Sequence, residues 1–188
     1  MTAAVYVFTG PPGCGKTTLV RTIAERLMAA GVPVGGMLTS EVRSGGSRIG
    51  FDLQDLVSGE SAPLARIGDG QPRIGKYVVF TDNLERLGVR AINQAVEKNA
   101  VVVIDEVGPM ELLSQRFINS VELALRESNA SIVTVHFRSS HPLAQRVRRE
   151  ATRLIELRRG MPRDVLEKIV SDVATEVEQR SRKNVAGR

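Results

Sequence analysis

A chain of 188 residues, 42% hydrophobic and 25% charged, is long enough for one domain with a full hydrophobic core and too ordinary in composition for a disordered or fibrous protein. No apolar run approaches ~20 residues, which excludes a transmembrane helix, and no signal peptide is expected ahead of a strand that starts so near Met1. The single cysteine, Cys14, excludes an internal disulfide and fits a cytoplasmic setting, while the net charge of +5 raises nucleic acid as a partner. The excess is local, however. Residues 138–163 hold eight arginines against Glu150 and Glu156, a distribution that suits phosphate contacts within a small-molecule site better than a nucleic-acid surface.

In chain order, the apolar residues 3–8 predict a strand, and Gly10-Pro11-Pro12-Gly13-Cys14-Gly15-Lys16-Thr17 follows it, fitting GxxxxGK[ST] without mismatch. A helix is expected over 16–30, stopped by Gly31 and Pro33. Residues 34–43 and 48–53 read as a β-hairpin about Gly45-Gly46, and 36–80 as a largely antiparallel insertion inside a single domain of residues 1–180. Thr81-Asp82-Asn83 starts a helix in which Leu84, Leu87, Ala91, Ile92, Ala95 and Val96 recur at helical spacing. Residues 101–104 form a wholly apolar run ending at Asp105-Glu106, as a strand buried on both faces does. A helix over 114–128, a strand over 131–135, a basic helix over 142–149, a strand near 153–157 and a helix over 162–179 complete the pattern. The tail 181–188 is expected to be disordered. Alternating strands and helices give a three-layer α/β fold with a mainly parallel sheet.

The strand–loop–helix context makes the glycine-rich stretch a P-loop, whose backbone N–H groups cradle phosphates at a helix N-terminus. Gly10, Pro11, Pro12, Gly13, Cys14, Gly15, Lys16, Thr17 and Thr18 are therefore expected to bind a nucleoside triphosphate. Lys16 would reach its β- and γ-phosphates, and Thr17 would ligate Mg²⁺. Cys14 needs only to be small there. Val103, Ile104, Asp105, Glu106, Val107 and Gly108 form the second nucleotide-binding stretch, with Asp105 holding Mg²⁺ through water. A carboxylate at Glu106 would accept a hydrogen bond from a water in line with the γ-phosphate, so Lys16 and Glu106 are the expected catalytic groups. Thr134 and His136, at the end of a strand that resembles the extra one of P-loop ATPases with such an acidic pair, are candidates to sense the γ-phosphate. Arg138, Arg146, Arg148 and Arg149 are candidates to neutralise the transferring phosphoryl group. His141-Pro142 reads as a helix cap. Phe51 and Tyr77 are available to stack a base, with core packing the favoured reading.

Taken together, Thr39-Ser40-Glu41-Val42-Arg43, Arg48-Ile49-Gly50-Phe51, Gly75-Lys76-Tyr77-Val78-Val79, Ile104-Asp105-Glu106-Val107-Gly108-Pro109-Met110-Glu111-Leu112 and His141-Pro142-Leu143 resemble the small nucleoside-triphosphatases of the thermophilic type. That family includes the cancer-related nucleoside-triphosphatase, and the resemblance runs over residues 5–178. It implies a RecA-like P-loop fold and Mg²⁺-dependent hydrolysis of ATP, GTP, CTP and UTP to the diphosphate and phosphate. Base tolerance would be broad, and Lys16, Thr17, Asp105 and Glu106 would carry the chemistry. It assigns no role to the hairpin insertion, and Ser40 departs from the two acids that often precede Val-Arg. The chain is expected to be monomeric and not to bind nucleic acid. The alternatives are a nucleotide or nucleoside kinase, which needs an acceptor pocket, and a nucleotide-dependent switch or RNA-binding module, which the basic charge supports.

Overall fold

The computed structural model describes residues 3–186. Its strands are β1 (Ala4–Thr9), β2 (Val34–Ser44), β3 (Ser47–Asp55), β4 (Ser61–Ile67), β5 (Arg73–Ile74), β6 (Tyr77–Val79), β7 (Val101–Val107), β8 (Ala130–Val135) and β9 (Arg153–Glu156). They form one sheet in the order β5-β6-β4-β3-β2-β7-β8-β1-β9. The five strands from β2 to β9 run parallel, and β3, β4, β6 and β5 continue from β2 antiparallel. β8 lies between β1 and β7, the slot expected of residues 131–135.

Two apolar layers sandwich the parallel strands because their side chains alternate faces. Tyr6, Phe8, Leu38, Val103 and Ile132 pack against α1 (Lys16–Ala29) and α6 (Arg163–Ala186) through Val20, Ile23, Leu27, Val173 and Val177. Val5, Val7, Met37, Ile104 and Val133 pack on the other face. There they meet α3 (Arg90–Glu97), α4 (Gln115–Glu127) and α5 (Pro142–Arg149) through Ile92, Phe117, Val121, Leu143 and Val147. The helix expected from Thr81 is one continuous run: α2 (Thr81–Asn83), a π-helical stretch Leu84–Val89, then α3. Helix ends follow sequence chemistry. Gly31, at φ 77°, ends α1; Ser114 Oγ accepts from Phe117 N at the start of α4; and His141 Nδ1 accepts from Leu143 N, capping α5 as read.

Two departures from the sequence reading matter. β2 is not confined to the insertion: Val34–Met37 pair in parallel with Val101–Ile104, and from Met37 onward the same strand pairs antiparallel with β3. Gly36 permits this, since a Cβ there would stand 2.0 Å from the Val103 carbonyl oxygen. Second, α6 extends through Ala186, so residues 181–186 of the expected disordered tail are helical, and 187–188 lie outside the described residues. No Gly or Pro interrupts α6, and Arg182 pairs with Glu178 one turn back. None of the described helices is long and apolar enough to cross a membrane.

Candidate active site

At the carboxyl ends of the parallel strands lies a cavity of about 1050 Å³. Its floor is the loop between β1 and α1, where Gly10, Gly13 and Gly15 take φ of 148°, 74° and 95°. A Cβ on Gly10 would meet the Leu157 carbonyl oxygen at 2.3 Å, so only glycine fits where the chain leaves β1. Lys16 Nζ donates to the carbonyl oxygens of Gly10 (3.0 Å) and Pro11 (3.4 Å), spanning the loop. Gly10, Pro12, Gly13, Gly15, Lys16, Thr17 and Thr18 line the cavity. Pro11 and Cys14 do not, and Cys14 is buried in the core on the α1 side, which agrees with its reading as a small apolar residue.

β7 supplies the acidic wall. In a regular strand Asp105 and Glu106 would point to opposite faces. Here Ile104 pairs with Val133 and Val107 with Val135, so β7 carries one residue more than β8 between those pairs. This bulge turns both carboxylates into the same cavity. Their peptide is cis. Asp105 is buried and fully engaged: Oδ2 accepts from Thr17 Oγ1 (2.9 Å), Thr39 N (3.2 Å) and Thr39 Oγ1 (3.1 Å), and Oδ1 accepts from Thr134 Oγ1 (2.6 Å). Glu106 has no such partners among the described residues. Burial pushes its carboxyl up to about 7, opposed by the Lys16 charge and helped by that of Asp105. Val103, Ile104 and Val107, expected at the nucleotide, are instead buried in the two core layers, because they are the alternating apolar members of a central strand. Gly108 does not line the cavity either; it lies beneath Glu111.

Thr134 is not a cavity residue. It is fully buried behind Asp105 and acts through that carboxylate. His136 does line the cavity, and burial, then the positive charges of Lys16, Arg148 and Arg138, push its pKa down, so it is neutral at pH 7. The four arginines chosen from sequence are elsewhere. Arg146 pairs with Glu122 and Glu150, and Arg148 donates to the carbonyl oxygens of Ser139, His136 and Phe137, fixing the turn that carries His136. Arg138 and Arg149 line no part of the cavity. The short helix α5, which carries Arg146, Arg148 and Arg149 but not Arg138, packs its apolar stripe onto the sheet and turns its basic face away. Arg159, from the same basic segment, is the one at the P-loop: its Nε and Nη2 donate to the Pro12 carbonyl oxygen at 3.0 and 2.6 Å. β9 runs beside β1, and the chain leaving it is delivered to the loop that follows β1.

The sequence reading also passed over Glu111. It sits in a short 3₁₀ turn (Glu111–Leu113), buried, and lines the same cavity. Burial, then the Glu106 charge, raise its pKa to about 8, against the lowering effect of its own N–H and that of Gly108. The folded state therefore holds a proton that the unfolded chain releases near the ordinary carboxylate pKa, so stability falls as pH rises from about 4.5 to about 8. Glu111→Gln removes this contribution and leaves that of Glu106. Thermal melts at about pH 5 and about pH 8.5 should show the variant gaining on the wild type by several degrees at the higher pH.

The chain is similar to proteins of known family. A family model described as NTPase matches residues 5–170. Nucleoside-triphosphatase THEP1 of Thermofilum pendens is 51% identical over 141 residues, 74% of this chain and 78% of its own. That of Methanopyrus kandleri is 44% identical over 152 residues, 81% and 84% of the two chains. The crystal structure of THEP1 from the hyperthermophile Aquifex aeolicus matches with a TM-score of 0.80 at 32% identity, over 93% of this chain and 99% of that one. The solution structure of a human cancer-related nucleoside triphosphatase matches with a TM-score of 0.74 at 36% identity, over 94% and 98%. Both comparisons span nearly the whole α/β fold, insertion included, and the chain belongs to the NTPase family of THEP1-type nucleoside-triphosphatases.

Proposed function

We propose that this protein hydrolyses nucleoside 5′-triphosphates to the diphosphate and inorganic phosphate, with Mg²⁺ and with broad tolerance of the base. The observation that carries the reading is the β7 bulge, which gathers Asp105 and Glu106 into the cavity that Lys16 and Thr17 line. The names of the relatives support the same activity.

The donor set fits Mg²⁺. Thr17 Oγ1 and Asp105 Oδ2 are adjacent hard oxygens, and Thr39 and Thr134 fix the carboxylate from two sides. No cluster of three His, Cys, Asp or Glu ligands exists among the described residues, and Mg²⁺ ordinarily draws its remaining ligands from water and phosphate. When bound, the cation neutralises charge on the β- and γ-phosphates. The P-loop N–H groups and Lys16 hold the phosphate chain and extend it toward β7. Lys16 exchanges its two loop carbonyls for phosphate oxygens. Glu106, with no side-chain partner among the described residues and a pKa near neutrality, orients a water on the far side of the γ-phosphorus and takes its proton as the bond to the β-phosphate oxygen breaks. Neutral His136 offers a hydrogen bond to the γ-phosphate without adding charge. Base tolerance follows from a grip confined to phosphates, which all four substrates share. The single buried cysteine supports a cytoplasmic setting, and we expect a monomer.

Purified protein given Mg²⁺ and ATP, GTP, CTP or UTP, with no acceptor added, should release phosphate from several of them. EDTA should abolish release and excess Mg²⁺ restore it. Tight binding without release would overturn the reading.

A further inference from the structure

The cavity is larger than a phosphate site needs, at the upper end of the ~300–1,000 Å³ usual for small-molecule clefts. Its far wall comes from the antiparallel insertion: Glu41 and Arg43 on β2, Arg48 and Phe51 on β3, and Lys76 and Tyr77 where β5 turns into β6. The position of this wall relative to a triphosphate follows from the reading above, on which this inference rests. The P-loop cradles the α- and β-phosphates, and Lys16, Thr17 and Asp105 mark the γ end. Thr39 on β2 touches Asp105. Glu41 and Arg43 follow at alternate positions on the same strand, ~7 and ~13 Å farther along. The wall thus lies beyond the γ-phosphate, at the end of the chain opposite the nucleoside.

Its composition is that of an anion site with a stacking surface. Arg43 and Arg48 stand directly opposite each other in the β2–β3 ladder, a like-charge pair that costs stability. A bulge at Ile49 makes this possible: Val42 pairs with Gly50 but Arg43 with Arg48, which puts Arg48 on the same face as Phe51. Glu41 bridges both arginines, accepting from Arg43 Nη2 at 2.6 Å and pairing with Arg48 Nη2. One carboxylate against two guanidiniums and the Lys76 ammonium leaves the wall positive. Lys76 has no ion pair among the described residues; its Nζ lies 5.4 Å from the centre of the Tyr77 ring. Arg48 lies 5.3 Å from the centre of the Phe51 ring, and its Nε is buried without a hydrogen-bond acceptor. The Phe51 and Tyr77 rings meet edge to face at 5.5 Å. A phosphate group suits the exposed Lys76 ammonium and the part-exposed Arg48 guanidinium, and a flat ring suits the aromatic pair.

We propose that this wall is a second subsite, binding a phosphate monoester that carries a planar ring, a nucleoside monophosphate in class, together with the nucleoside triphosphate. The test is calorimetric titration of AMP, GMP, CMP and UMP into protein saturated with Mg²⁺ and a β,γ-imido triphosphate, repeated with Arg48→Ala and Lys76→Ala. At least one monophosphate should bind, one per chain, and each variant should weaken it about tenfold or more, as loss of a charge-assisted contact does. Affinity for the imido triphosphate and the rate of phosphate release should be unchanged in both. Arg48→Ala also removes contacts to Glu41 and Phe51; if it fails to fold, Lys76→Ala decides, since Lys76 sits in a turn without an ion pair. No binding by any monophosphate would overturn the proposal. So would variants that weaken the triphosphate analogue itself, because the wall would then hold the triphosphate's own base. Monophosphate binding with no phosphate release by the wild type would overturn the hydrolase reading and leave this one standing.

Discussion

Replacing Glu106 by Gln lowers kcat on the order of 10²-fold or more while leaving nucleotide binding nearly intact, because the change removes a positioned base and nothing that grips phosphate. The substitution keeps the volume of a half-buried side chain and takes away a carboxylate that burial already disfavours in its charged form. Loss of fold is therefore not an expected outcome. Lys16, Thr17 and the loop N–H groups remain, so the affinity for an imido triphosphate measured by calorimetry should hold. Steady-state phosphate release read beside that affinity separates the two effects. A variant hydrolysing at the wild-type rate would show that water is activated without Glu106.

Lys16→Ala acts differently. Its ammonium is held by two backbone carbonyls that a phosphate chain would replace. Removing it takes a charge-assisted contact from the bound ground state and a preorganised cation from the transition state. Both KM and kcat should suffer, with kcat/KM falling on the order of 10³-fold. The Lys16 side chain makes no other hydrogen bond among the described residues, so circular dichroism and the melting temperature should match the wild type. A fall in kcat alone, with the analogue bound as tightly as before, would mean that Lys16 does not hold the phosphates in the ground state.

What was legible in the sequence was local. The P-loop, the apolar run ending at Asp105-Glu106, the Gly45-Gly46 turn and the His141 cap each depend on residues a few positions apart, and each stands where it was read. What was hidden depends on register. That Asp105 and Glu106 share a cavity, and that Arg48 joins Phe51, both rest on bulges that a period-two pattern does not announce. The double duty of β2 rests on Gly36 lying against Val103. The basic segment touches the P-loop through Arg159, which was not among the arginines chosen, because spacing alone does not rank them. Arg159 reaches Pro12 because β9 runs beside β1, whereas Arg146 and Arg148 are consumed by Glu122, Glu150 and backbone carbonyls. Thr134, a candidate γ-phosphate sensor because it lies near the end of a strand next to the site, donates its hydroxyl to Asp105. Glu111 was passed over because a lone glutamate after a proline carries no spacing signal, and only the 3₁₀ turn returns it to the cavity.

The central claim is that water, positioned by Glu106, attacks the γ-phosphorus. Hydrolysis of ATP and of GTP in ¹⁸O-enriched water, with the products resolved by mass, tests it most directly. Attack at the γ-phosphorus places one labelled oxygen in the inorganic phosphate and none in the diphosphate, for both nucleotides, and the labelled product should fall away in Glu106→Gln. Label in the diphosphate, or no labelled phosphate from a protein that binds both nucleotides tightly, would contradict it.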